Sequence, residues 1–149
     1  MIRKATACDV KKIQALINSY AKKDLMLARS LNELYENLRD FFIYEENGRA
    51  IGCCALHVCW QDLAEIKSLA VEPRYRQKGI GAKLLGAAKD EARELGIAKI
   101  FALTYVPDFF KKQGFRRADK AKLPQKIWGE CIKCVKFPDC DETALVLEL

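Results

Sequence analysis

The amino-acid sequence predicts an α/β fold: one mixed β-sheet flanked by helices. Three observations predict it. Short runs of β-branched and apolar residues alternate with helical stretches in the order β-α-α-β-β-β-α-β-α-β-β. Asn47-Gly48, set between two such runs, is a strong hairpin signal, and a hairpin makes its strands antiparallel. Further on, a strand–helix–strand unit covers residues 63–104, and such a unit lays its two strands parallel. Both pairings in one chain make the sheet mixed.

Ile2 to Ala5 is the first strand. Asp9 is expected to cap a helix that runs to about Lys22, with Val10, Ile13, Leu16 and Ile17 on one face. Ser30 and Glu33 have capping-box spacing, and Leu31, Leu34, Tyr35 and Leu38 give the second helix its apolar stripe. Phe41 to Glu45 and Ala50 to Trp60 are strands joined by Glu46-Asn47-Gly48-Arg49. Leu63 to Val71 is a further strand, ended by Pro73. Ile80 to Leu95 is a helix with Leu84, Leu85, Ala88 and Ala92 inward, closed by Gly96. Lys99 to Thr104 is a strand, Pro107 to Gln113 a short helix, Phe115 to Ala118 a strand and Thr143 to Leu149 the last strand.

The totals fit a single domain, residues 1–149. Half of the 149 residues are hydrophobic and 31% are charged, the balance of a soluble globular protein. A chain of this length buries a core without disulfides. No apolar run reaches the ~20 residues that span a bilayer. Met1-Ile2-Arg3-Lys4-Ala5 leads into no apolar stretch with a cleavage site, so the expectation is a cytoplasmic protein with no membrane partner. The 7 cysteines argue against a secreted disulfide framework, and Cys53 and Cys54 read as small core residues. The net charge of +6 favours phosphate or carboxylate ligands. Nucleic acid is not expected, because basic residues are dispersed among acidic ones and no nucleic-acid motif is present.

The informative segment is Leu69-Ala70-Val71-Glu72-Pro73-Arg74-Tyr75-Arg76-Gln77-Lys78-Gly79-Ile80-Gly81-Ala82-Lys83-Leu84-Leu85. A strand runs into a basic, glycine-containing turn that opens an amphipathic helix. The first amides of a helix lack intrahelical partners, and the dipole there attracts anions. Gly79 and Gly81 let the backbone approach a pyrophosphate closely, and Arg76 and Lys78 add charge-assisted contacts. The loop is neither of the two common nucleotide loops. It lacks the Gly-Lys-Ser/Thr end of a Walker A motif and the third glycine of a dinucleotide fingerprint.

Arg76-Gln77-Lys78-Gly79-Ile80-Gly81 resembles the acetyl-coenzyme A signature of GCN5-related N-acetyltransferases, Arg/Gln-x-x-Gly-x-Gly/Ala. Leu69-Ala70-Val71-Glu72-Pro73 resembles the family strand whose backbone pairs with the pantetheine arm. Phe109-Phe110-Lys111-Lys112-Gln113-Gly114-Phe115 resembles the family's F-Y-x-x-x-G-F segment near the thiol. The resemblance covers almost the whole chain. It implies acetyl-coenzyme A as cosubstrate, held by Leu69, Ala70, Val71, Arg76, Gln77, Lys78, Gly79, Ile80, Gly81, Ala82 and Phe110. Other stretches are similar to the acetyltransferase domain of N-acetylglutamate synthases: Met26-Leu27-Ala28-Arg29-Ser30, Ala55-Leu56-His57, Ala64 to Val71, Ile100-Phe101-Ala102-Leu103-Thr104 and Leu123-Pro124. That likeness implies L-glutamate as acceptor, in the first step of arginine biosynthesis, with Leu27, Arg29 and Lys67 as substrate-binding residues. The short, stand-alone form of that family is the one resembled, which puts feedback inhibition by arginine in doubt. Another amine as acceptor, or a non-catalytic module that binds acyl-coenzyme A, stays open as an alternative. A homodimer stays open as well.

The reaction needs a base, because the amine arrives protonated. Glu65 lies between Ala64 and Ile66 on an otherwise apolar strand, where burial favours its protonated form and brings it toward a neutral-pH base. The family resemblance implies the same position. An amide N–H near Leu69 to Val71 is placed to polarise the thioester carbonyl. The family's usual acid, the Tyr of F-Y, is replaced by Phe110, which leaves Thr104 and Tyr105 as candidate acids and direct protonation by solvent as the alternative. Cys131-Ile132-Lys133-Cys134 with Cys140 has a zinc-like first pair, but three cysteines fall short of four ligands unless Asp139 or Asp141 joins them. A thiol-bearing loop without metal is the preferred reading. The stretch from about Lys120 to Asp141, with Lys126 and Trp128, has the length of a lid over a substrate.

Overall fold

The computed structural model describes residues 1–123 and 142–149. β1 (Ile2–Lys4) is followed by a 3-10 turn, Ala7–Asp9, and by α1 (Val10–Ala21). α2 (Leu31–Glu36) and a second 3-10 turn, Leu38–Asp40, lead into β2 (Phe41–Glu46), β3 (Arg49–Trp60) and β4 (Leu63–Val71). After the turn Pro73–Tyr75 come α3 (Ile80–Glu94), β5 (Lys99–Thr104), α4 (Pro107–Lys112), β6 (Arg116–Arg117), the turn Lys120–Lys122 and β7 (Thr143–Glu148). The strands form one 7-stranded sheet in the order β1-β2-β3-β4-β5-β7-β6. The β4–β5 pair is parallel and the others are antiparallel, so the expected mixed sheet is what forms.

The β2–β3 hairpin turns where Asn47-Gly48 predicts. Asn47 has φ 53° and Gly48 φ 74°, the two left-handed residues that a right-twisted hairpin requires. The start of α1 differs from expectation. Asp9 turns its carboxylate backward, accepting from the Thr6 amide at 2.7 Å and the Thr6 hydroxyl at 3.2 Å. Arg3 closes a bidentate pair with it, Nη1 to Oδ2 at 2.7 Å and Nη2 to Oδ1 at 2.9 Å. The fork geometry makes this worth more than helix capping there. α2 is capped as predicted, the Glu33 amide donating to Ser30 Oγ at 3.1 Å. It is shorter than its stripe suggests: Leu38 falls in the following 3-10 turn, and Tyr35 is 47% exposed. The predicted strand from Phe115 to Ala118 narrows to Arg116–Arg117, paired with Leu145 and Val146.

Each sheet face is covered. α3 lays Leu84, Leu85, Ala88 and Ala92 against Leu56, Ala64, Ile66 and Ala102. On the other face, Ile13, Leu16 and Ile17 of α1 and Leu34 of α2 pack on Phe41, Ile43, Cys53 and Ala55. Cys53 and Cys54 are fully buried, as core residues should be. Among the described residues no helix is long and apolar enough to cross a membrane.

The Arg3 hydrogen bonds, aided by the Thr6 amide, lower the Asp9 pKa to about 2. A carboxyl depressed in the folded state adds stability above its unfolded value of about 3.9, and that stability is lost as pH falls through about 2. Asp9→Asn is expected to lower unfolding free energy at pH 7 by roughly 1–2 kcal/mol, allowing for the partly exposed partner. It should also flatten the loss of stability between about pH 4 and 2. Urea denaturation of both proteins across that range measures this.

Candidate active site

β4 pairs with β5 only over Leu63↔Lys99 to Ile66↔Ala102. Beyond Ile66, β4 stays bonded to β3, while β5 continues through Thr104 bonded to β7. The two strands thus part, and a cleft of about 1280 Å³ occupies the opening. It exposes the β4 edge from Lys67 to Val71, whose backbone groups have no β5 partner there.

β4 carries an irregularity inside the opening. Cys53 pairs with Ala70 and Ala55 with Lys67, so the single residue Cys54 faces both Ser68 and Leu69. Ser68 is the extra residue, with φ 54°. The bulge shifts the strand's alternation: Ala64 and Ile66 pack under α3, and so do Leu69 and Val71. Glu65 lies between Ala64 and Ile66 and therefore takes the α1–α2 face. It is 8% exposed and lines the cleft together with Lys67. Thr104, also 8% exposed, follows Ala102 by two residues on the α3 face and lines the cleft from there. The opening therefore joins the two sides of the sheet.

Arg29 sits on the same side as Glu65. Its side chain is 11% exposed. Gln14 Nε2 donates to its carbonyl at 3.2 Å, and its Nη1 donates to Ser68 Oγ at 3.1 Å. Nε lies 3.5 Å from Glu33 Oε2, and the guanidinium carbon is 5.9 Å from the Phe41 ring centre. Leu27 lines the cleft beside it.

The loop before α3 is built for anions. Gln77 (φ 65°) and Gly79 (φ 78°) are left-handed, one residue apart, a backbone pattern that turns successive amides toward one point. Gly79 is the N-cap of α3 and no side chain caps the helix, so its first amides are not taken by a side chain. A Cβ on Gly79 would meet nothing within 4 Å, so its backbone is not crowded there. This fits the diphosphate of a coenzyme A. Arg76, Gln77, Ile80, Gly81 and Ala82 line the cleft with Gly79. Lys78 does not; its Nζ stands 5.4 Å from the Tyr75 ring centre. Phe110 lines the cleft and is buried, with edge-on contacts to Phe109 (5.1 Å) and Phe115 (5.2 Å). Tyr105 is absent from the lining, whereas Thr104 is in it, with its Oγ1 accepting the Val106 amide at 3.0 Å.

The sequence does not single out several cleft residues. Tyr20 continues the α1 stripe past Ile17, so spacing shows its burial. It does not show that its hydroxyl donates to the Val71 carbonyl, tying α1 to the end of β4. Burial raises the Tyr20 pKa and keeps it a neutral donor. Ser68 is betrayed by a phase slip, two polar residues in a row between Ile66 and Leu69. Met26 and Phe109 fall inside stretches that carry the family resemblance but are not among the residues it assigns to the site, and both line the cleft. Cys131, Cys134 and Cys140, with the span around Lys126 and Trp128, lie outside the described residues. Among the described residues no three His, Cys, Asp or Glu side chains gather as a metal site.

Comparison with known proteins agrees with this geometry. A protein of Chlorobaculum tepidum named an uncharacterized N-acetyltransferase is 40% identical over 148 residues, covering 99% of this chain and 96% of that protein. An amino-acid acetyltransferase of Mycobacterium tuberculosis is 34% identical, covering 87% of this chain and 76% of that one. The crystal structure of N-acetylglutamate synthase from Neisseria gonorrhoeae, complexed with coenzyme A and N-acetyl-glutamate, superposes with a TM-score of 0.91 at 32% identity, covering all of this chain and 35% of that one. Residues 9–115 match the acetyltransferase (GNAT) family. The chain belongs to that family and is an acetyl-coenzyme A-dependent N-acetyltransferase.

Proposed function

We propose that this protein acetylates the α-amine of an amino acid, L-glutamate first among them, and that the described sheet and its helices act as one catalytic domain. The observation that carries the reading is the grouping of Glu65, Lys67 and Arg29 on one side of the β4–β5 opening, across from the amide-lined loop of α3. Glutamate brings two carboxylates and one ammonium. A buried guanidinium fork and a lysine match the carboxylates, and a buried carboxylate matches the amine. The names of the Mycobacterium tuberculosis and Neisseria gonorrhoeae proteins support the same acceptor class.

Acetyl-coenzyme A supplies the acetyl group as a thioester. In our reading the α3 loop, through Arg76, Gln77, Gly79, Ile80, Gly81 and Ala82, holds the diphosphate, with Lys78 adding charge from outside the cleft. The open edge of β4 at Leu69, Ala70 and Val71 offers amides to the extended arm and the carbonyl oxygen. Phe110 packs against the thiol end. Leu27, Arg29 and Lys67 hold the amino acid. Glu65 takes the ammonium proton, directly or through one water. Attack leaves a second proton on the nitrogen, and Thr104 relays it to the departing thiolate, giving its hydroxyl hydrogen to sulfur as it takes the one from nitrogen. The Val106 amide donates to the Thr104 oxygen, which leaves the hydroxyl hydrogen to be given away. We assign the role to Thr104 over Tyr105 because Thr104 reaches the cleft.

Release of coenzyme A thiol from acetyl-coenzyme A across a panel of amino acids and polyamines tests the acceptor. The expected result is a rate specific to L-glutamate, with N-acetylglutamate as product; a polyamine or a protein N-terminus giving the highest rate overturns the acceptor assignment. Glu65→Gln is expected to lower kcat by roughly 100-fold or more while coenzyme A affinity by calorimetry is kept. Unchanged turnover removes Glu65 as the base. Gly79→Ala forces a side chain into left-handed backbone, at a cost of about 1 kcal/mol in stability, and is expected to raise KM for acetyl-coenzyme A severalfold.

A further inference from the structure

We propose that the Ser68 hydroxyl is a positioning group that aims Arg29 at the acceptor's carboxylate and so sets the enzyme's preference for carboxylate-bearing amines. The inference rests on the amino-acid reading above and deepens it. Ser68 is a non-glycine residue at φ 54°, in the bulge where two residues of β4 face one of β3. Left-handed backbone is costly for serine and easy for glycine, so a hydroxyl kept there has something to do. The bulge itself does not need it. The Ser68 carbonyl is held from behind by the buried Cys53, whose Sγ donates to it at 3.3 Å. The hydroxyl points the other way and accepts from Arg29 Nη1 at 3.1 Å.

Arg29 is otherwise held at its base. Gln14 fixes its carbonyl, and Phe41 lies under the guanidinium. Glu33 is 55% exposed and 3.5 Å away, a weak and screened restraint. The Ser68 bond is the short contact that fixes the rotation of the fork. With Nη1 turned to Ser68 and Nε toward Glu33, Nη2 has no hydrogen-bond partner among the described residues and remains for a carboxylate in the cleft that Arg29 lines. Ser68 lies three residues after Glu65 on the same strand, so one short segment carries both the base and the support of the carboxylate anchor. The distance between amine and carboxylate in the acceptor is thereby matched to a fixed spacing in the protein.

Two substitutions separate this role from a merely structural one. Ser68→Gly removes the hydroxyl and relaxes the backbone. It should raise KM for L-glutamate roughly 10-fold, the loss of one hydrogen bond to a charged group, with kcat and the acetyl-coenzyme A KM within about twofold. Its thermal midpoint should change little. Ser68→Thr keeps the hydroxyl but puts a β-branched residue in left-handed backbone. It should lower the midpoint yet keep the L-glutamate KM well below that of the glycine variant. If KM instead follows the midpoint in both variants, Ser68 serves the fold alone and the proposal is wrong. Arg29→Ala runs in parallel. A raised L-glutamate KM for Arg29→Ala with none for Ser68→Gly overturns this inference and leaves the function standing. No change in either sinks the carboxylate anchor itself, and this inference with it.

Discussion

The ladder between β4 and β5 stops after Ile66, and the rest of the site depends on that stop. Had pairing continued, the amides and carbonyls of Lys67 to Val71 would be spent on β5 and the sheet would be closed. Instead β5 turns its bonding to β7, and beyond Ile66 the β4 edge has no β5 partner. An unpaired edge inside a protein is costly unless something extended lies along it. The opening supplies room for that, and the helix that starts at its mouth supplies amides for a charged end. Bulge, loop and opening border one cleft.

The opening also divides the labour. The α3 face carries the left-handed loop, the aromatic cluster of α4 and Thr104. The α1–α2 face carries Glu65, Lys67 and Arg29. Reactants that arrive from opposite faces meet only where the strands part. On the function proposed above, Glu65 as base and Thr104 as proton relay reach the opening from opposite faces of the sheet. Tyr20, by bonding the Val71 carbonyl, fastens the helix of one face to the strand end that leads into the loop of the other.

Periodicity and turn chemistry made most of the fold legible. The Asn47-Gly48 hairpin, the stripes of α1 and α3 and the Ser30 cap are local signals, and local signals survive in a sequence. What depends on distant partners did not. Asp9 fits a helix cap locally, yet Arg3 and Thr6 offer it better bonds, and those come from tertiary placement. Tyr35 fits the stripe of α2 and lies within the helix, yet it faces solvent. The insertion of β7 between β5 and β6 has no sequence signature, because strand order is set by which edges remain open. In the site, motif residues of the α3 loop were readable from glycine placement. The polar pair Lys67-Ser68 marks a phase slip but not the bond from Arg29 to the Ser68 hydroxyl, and nothing local shows that Tyr20 reaches the Val71 carbonyl.

The burial of Cys53 has a chemical consequence. An acetyl-coenzyme A-dependent transfer releases a free thiol, and Cys53 braces the bulge beside the cleft through its bond to the Ser68 carbonyl. Desolvation pushes the Cys53 thiol up to about 12, and Cys54 is raised as well. At neutral pH such a sulfur stays protonated, and only the thiolate exchanges with disulfides. The sulfur that braces the bulge is therefore inert toward the mixed disulfides that a coenzyme thiol forms under oxidation. Cys8, exposed on the surface before α1, has no such protection and lies well away in the chain from the strand that carries the chemistry. Among the described residues, the sulfur that backs the cleft is thus kept in its protonated, unreactive form.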